Sequence, residues 1–176
     1  MRFAYADPPY LGCARKFYGD HPEHAVYDTV DGHRQLIERL SDEYPDGWAY
    51  SLTTTSLHAL LPLCPSDVRI GGWFKPFASF KPGVNPAYCW GPVILRGGRR
   101  LGRGVPTVRD YTLDESPAIG ANITLRRGLA GAKPEKFSRW LFDVLGMQPS
   151  DEFHDLFPGS GAVTSAWETW RAERAA

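Results

Sequence analysis

Two short stretches of this 176-residue chain hold residue types that could do chemistry. Asp7-Pro8-Pro9-Tyr10 joins a carboxylate, a backbone stiffened by two prolines and an aromatic ring. The prolines remove two N–H donors, so the carbonyls beside the carboxylate have no neighbouring donor competing for them. Phe157-Pro158-Gly159-Ser160-Gly161 is different in kind. The missing side chains at Gly159 and Gly161 let a ligand approach the backbone closely, next to a helix N-terminus that suits a carboxylate or a phosphate; the same string also serves as a plain strand-to-helix turn. Asp155, just before it, could bind an ammonium group or cap the turn.

These stretches need elements to hold them. Phe3-Ala-Tyr-Ala6 is an apolar run that reads as a buried strand ending at the prolines. Arg34 to Leu40 places Leu36, Ile37 and Leu40 on one helical face, and Pro45-Asp46-Gly47 turns the chain into a strand at Trp48–Ser51. Thr55 or Ser56 can cap a short helix through Leu61, and Val68–Gly71 reads as another strand. Pro76 to Pro92 holds too many prolines and glycines for a long regular element, and Val93–Leu95 reads as a strand entering a basic loop. Lys133-Pro134 opens a helix with Phe137, Trp140, Leu141 and Val144 on one face, ended by Gly146. Phe153–Phe157 is then a strand, and a last helix carries Val163, Trp167 and Trp170 on one side. Trp140, Trp167 and Trp170 are expected in the core. Alternating strands and helices predict one α/β domain over residues 1–176, with helices on both faces of the sheet and ligands beyond the carboxyl ends of its strands.

Composition narrows the class. The chain is 43% hydrophobic and 23% charged with a formal net charge of zero, which argues for a folded globular protein. No stretch nears the ~20 apolar residues of a membrane span and no secretory leader is visible, so a cytoplasmic protein with no membrane partner is expected. Cys13, Cys64 and Cys89 are odd in number and form no CxxC pair, and the five histidines show no ligand spacing, so neither a disulfide framework nor a metal is expected. Charge is uneven along the chain: Arg96 to Arg139 holds ten Lys or Arg against four Asp or Glu. Residues 96–131 therefore read as a basic loop insertion, with Arg96, Arg99, Arg100, Arg103, Arg126 and Arg127 as candidate nucleic-acid contacts; a solvated basic loop is the plain alternative.

Asp7-Pro-Pro-Tyr10 near the start, Lys133-Pro134 opening a helix and then Asp155-Leu-Phe-Pro-Gly-Ser-Gly161 resemble, in content and order, the permuted (class beta) S-adenosylmethionine-dependent DNA amino-methyltransferases, in which the catalytic motif precedes the cofactor motif. The resemblance implies a Rossmann-like methyltransferase sheet that is permuted, and that Asp7, Pro8, Pro9 and Tyr10 form the catalytic loop. It implies further that Asp7, Lys133, Pro134, Phe137, Asp155, Phe157, Gly159, Ser160 and Gly161 surround S-adenosylmethionine. The chemistry implied is methylation of adenine N6 in DNA, with N4 of cytosine or an RNA adenine as alternatives. The Asp7 carboxylate and the Pro8 carbonyl would each accept one amine hydrogen, and Tyr10 would stack on the extruded base.

In the family a further strand after the glycine turn and its helix ends in an acidic residue that grips the cofactor ribose. Up to Ala176 this sequence offers Glu168 and Glu173 on the last helix, so that role is transferred to neither. A shortened sheet of about five main strands is expected, with Phe153–Leu156 at or near an edge that a homodimer or partner subunit would cover. Cofactor affinity should then be weak or completed by a partner chain. A reading of another class is a catalytically inactive subunit that binds nucleic acid or a partner enzyme.

Overall fold

The computed structural model describes residues 1–19, 22–79, 85–86, 88–114 and 133–175. Its strands are β1 (Arg2–Ala6), β2 (Gly47–Ser51), β3 (Arg69–Ser79), β4 (Tyr88–Gly97), β5 (Tyr111–Leu113) and β6 (Glu152–Asp155). Its α-helices are α1 (Ala14–Tyr18), α2 (Pro22–Ala25), α3 (Val30–Glu43), α4 (Leu57–Leu60), α5 (Glu135–Val144) and α6 (Ala162–Ala175). The strands form a single sheet in the order β5-β3-β4-β2-β1-β6. β1 lies parallel to both β2 and β6, β5 lies parallel to β3, and β4 runs antiparallel to its two neighbours, β2 and β3. The sheet thus has six strands, one more than the sequence suggests, and the extra one is β5.

Alternating side chains feed two cores. Phe3, Tyr5, Ala49, Val93 and Leu95 point to one face, where α5 and α6 bring Phe137, Trp140, Leu141, Phe142, Val163, Trp167 and Trp170. Ala4, Ala6, Trp48, Tyr50 and Ile94 point to the other, under α3 and α4 with Leu36, Ile37, Leu40 and Leu60. The three tryptophans assigned to the core are all buried there. α3 starts where the Thr29 hydroxyl accepts the Gly32 N–H, four residues ahead of the apolar face at Arg34–Leu40. α5 starts behind Pro134, and the chain leaves it through Gly146, whose φ of +64° favours glycine.

The expectation that Pro76 to Pro92 forms no long element is overturned, since β3 reaches Ser79 and β4 starts at Tyr88. Pro92 fits because its carbonyl faces β2, accepting from Leu52 N at 3.3 Å beyond that strand's last residue. Its missing N–H would face the same side, so no ladder bond to β3 is lost. The ladder is irregular between Phe74 and Ser79, the segment that holds Pro76. β5 and β6 are the edge strands, and β6 covers most of Phe153–Leu156, the segment expected at or near an edge.

Candidate active site

Parallel pairing brings the two motifs together. Tyr5 of β1 stands opposite Asp155, the last residue of β6, and the Leu156 N–H donates to the Tyr5 carbonyl at 2.9 Å. Asp7 follows two residues further on, just past the end of β1, so both carboxylates sit at the carboxyl edge of the sheet, and the Asp7 charge is among the causes that raise the Asp155 carboxyl. Pro8 and Pro9 are buried and Tyr10 is half-buried. Behind them Cys13 N donates to the Tyr10 carbonyl at 2.8 Å, and the Asp28 carboxylate accepts from Ala14 N at 2.7 Å and Arg15 N at 3.1 Å. Those bonds close the turn after Tyr10 and tie the start of α1 to Asp28.

Lys133, just ahead of α5, meets Asp7 from the other side. Its ammonium donates to Asp7 Oδ2, and the Lys133 side chain is only 3% exposed. Burial works against the charge, yet the Tyr5 hydroxyl and the Asp7 carboxylate outweigh it and hold Lys133 above the usual ammonium range. The ammonium also lies 5.7 Å from the Trp73 ring centroid and 6.0 Å from that of Phe137. The second carboxylate oxygen of Asp7 faces only a long contact from the Tyr10 hydroxyl, 3.4 Å, among the hydrogen bonds resolved at this oxygen. One oxygen of Asp7 is committed to the protein and the other is nearly open.

The glycine turn follows β6. Gly159 and Gly161 take φ values of +47° and +74°, and a side chain added at either would meet nothing nearer than 3.9 Å. The space over the turn is open. Gly161 N donates to the Pro158 carbonyl at 2.6 Å, and Ser160 is exposed. Asp155 accepts from Thr164 Oγ1 at 3.1 Å and from Phe157 N at 3.4 Å. Burial raises its carboxyl above the ordinary value despite those two donors.

The structure places the remaining residues assigned from sequence around these two motifs. Phe137 is buried against Tyr5, Trp73 and Trp140, so it backs the site without lining it. Phe157 is half-buried with its ring edge-on to Tyr27 at 5.3 Å, and Lys133 anchors Asp7. Pro134 is half-buried at the N-cap of α5. Residues the motifs do not mark also take part: Tyr5, whose hydroxyl meets Ser51 Oγ at 2.7 Å, and Trp73, whose buried indole N–H has no partner among the described residues. The period-2 pattern of β1 places Tyr5 and Asp7 on one side; nothing local marks Trp73.

The basic stretch lies elsewhere. Because β4 is antiparallel, it ends at Gly97 opposite Gly47, the first residue of β2, at the amino edge of the sheet. The Arg99 guanidinium grips the Asp151 carboxylate at 2.7 and 2.8 Å, and Arg96 pairs with Asp67 at 2.9 Å. Arg96, within β4, and Arg99 and Arg100, beyond its end, thus lie toward the edge of the sheet away from Asp7. Arg100 and Arg103 are exposed, while Arg126 and Arg127 lie outside the described residues. Residues 111–113 within the supposed loop form β5. A surface hollow lined by Ile37, Ser41, Leu63 and Cys64 shares no residue with the motif cluster.

Among solved structures, the crystal structure of the M1.HpyAVI-SAM complex is similar over 96% of this chain and 89% of that chain, with a TM-score of 0.54 at 10% identity. What the two share is the fold, a Rossmann-like α/β sheet with helices on both faces. No family model and no curated protein sequence matches the chain. Among the described residues no helix is long and apolar enough to cross a membrane, and no group of His, Cys, Asp and Glu is placed to hold a metal.

Proposed function

We propose that the protein is an S-adenosylmethionine-dependent methyltransferase of the permuted type that modifies the N6 amine of adenine in DNA. The observation carrying this reading is the meeting of Asp7, with one open carboxylate oxygen, and the open glycine turn after Asp155 at one edge of a methyltransferase fold. The neighbouring fold was crystallised as a complex with SAM.

The residues present fit that cofactor. Asp155 supplies a carboxylate for its ammonium group, and Gly159 and Gly161 leave room for its bulk. When bound, S-adenosylmethionine supplies an electrophilic methyl carbon. The adenine amine is a poor nucleophile because its lone pair is delocalised into the ring. Asp7 Oδ1 and the Pro8 carbonyl accept its two hydrogens, turn its lone pair out of conjugation and aim it at the methyl carbon, which is catalysis by positioning and electrostatics. The contact from the Tyr10 hydroxyl is long enough to yield to the amine, leaving the Tyr10 ring to stack on the base.

Transfer of labelled methyl from S-adenosylmethionine to double-stranded DNA, single-stranded DNA and RNA, followed by nucleoside analysis, tests this reading. N6-methyladenine in DNA is expected. N4-methylcytosine or methylated RNA would move the assignment within the class, and absence of both transfer and cofactor binding would favour an inactive partner subunit.

A further inference from the structure

Tyr5 is wholly buried in β1, with its ring packed on Phe137 at 5.8 Å between centroids. Its hydroxyl meets the hydroxyl of Ser51, the last residue of β2, at 2.7 Å, and the Lys133 ammonium lies over the same Phe137 ring, 6.0 Å from its centroid, where the phenol is among the groups that hold its pKa up. Lys133 can only donate, so toward it the phenol oxygen is an acceptor, which leaves the phenol O–H for Ser51. The chain runs Asp7, Lys133, Tyr5, Ser51. Every link after Asp7 is buried, with Lys133 at 6% and Ser51 at 3% exposure.

Lys133 needs such a post. An ammonium taken out of water costs several kcal/mol unless its donors are met, and its side chain is long and rotatable. Asp7, one residue beyond the end of β1, does not tie Lys133 to the sheet itself. Tyr5 does, because its backbone is locked between β2 and β6 and its hydroxyl is tied to the end of β2.

We propose that Tyr5 is a positioning residue: through its hydroxyl, held by Ser51, it places the Lys133 ammonium on one carboxylate oxygen of Asp7 and so leaves the other aimed at the substrate amine. The assignment rests on the reading of Asp7 as the group that contacts that amine. It adds a second sphere to the site that the motifs do not contain. Tyr5 touches neither substrate nor methyl donor and acts through Lys133 alone.

Tyr5→Phe keeps the ring and its packing and removes the hydroxyl. In methyl transfer this variant is expected to lose about ten- to a hundredfold in kcat, the scale of a small misplacement of a catalytic group, with KM for the nucleic acid and cofactor Kd by calorimetry within about twofold. Ser51→Ala should act in the same direction and more weakly. In a Lys133→Gln background Tyr5→Phe should add nothing, because the two act as one unit. A readout without activity is the rate at which an amine-acetylating reagent modifies Lys133, followed by mass spectrometry: slow in the parent, faster in Tyr5→Phe. Unchanged kcat in a folded Tyr5→Phe, or losses that multiply with Lys133→Gln, would overturn the proposal while leaving the methyltransferase reading intact. Absence of methyl transfer in the parent, with Lys133 protection still dependent on Tyr5, would remove that reading and the catalytic half of the proposal but keep the post. Should Tyr5→Phe fail to fold, Ser51→Ala decides: an unaltered kcat and unaltered Lys133 protection there would overturn the proposal.

Discussion

Asp7 and Asp155 are one strand apart and do opposite things with their charge. Lys133 takes up one oxygen of Asp7, whereas burial raises the Asp155 carboxyl above its ordinary value of 3.8. The sign for Asp155 follows from linkage: its folded form prefers the proton, so its contribution to stability is greatest at low pH and declines as pH rises through the raised value. Asp155→Asn should therefore unfold at the same or a higher temperature than the parent at neutral pH. Cofactor binding has the reverse dependence, since only the carboxylate attracts an ammonium group; calorimetry should show affinity falling as pH drops toward the raised value, and a weak, flat profile in Asp155→Asn. A profile in the parent that matches the variant would remove Asp155 from the cofactor site. Gly161 provides a second check at this scale. At φ +74° an alanine is strained by about 1–2 kcal/mol although the space is open, so Gly161→Ala should lower unfolding stability in urea by that amount and weaken cofactor binding as the turn shifts.

Among the elements, strand direction decides what each loop can reach. The strand at Phe3–Ala6, the helix behind Lys133-Pro134 and the strand-turn-helix around Gly159–Gly161 are legible from apolar periodicity and proline and glycine punctuation. That Asp7 meets Lys133 is not, because the two are 126 residues apart and no local pattern encodes the approach. Nor does the sequence mark β4 as antiparallel, and that reversal carries Arg99 to the amino edge, where charge alone had suggested a nucleic-acid contact. There Asp151 receives Arg99, Gln148 N at 2.7 Å and the terminal ammonium of Met1 at 3.0 Å, tying the starts of β1 and β6 to the segment after β4. Burial pushes its carboxyl up, but these donors prevail and hold it below 3.8. Its stabilisation is accordingly present above the unfolded value and lost as pH falls through the lower folded value. Asp151→Ala leaves the Arg99 charge without its partner and should cost about 3 kcal/mol in urea unfolding at neutral pH; a loss under about 0.5 kcal/mol would show that the cluster is not holding the edge.

For the whole molecule, one sheet gathers the first and last motifs of the chain at its carboxyl edge, and the two helical layers bury the rest of β1, so the site is built on rigid elements with only short loops projecting from them. β6 lies at one edge of the six-stranded sheet and leads directly into the glycine turn. The most direct test of the account is methyl transfer by the parent and by Asp7→Ala, run on DNA with labelled S-adenosylmethionine beside calorimetry of cofactor binding. The account predicts N6-methyladenine from the parent, its loss by at least about a hundredfold in Asp7→Ala, and cofactor binding retained in both. Equal methyl transfer by the two proteins would contradict it.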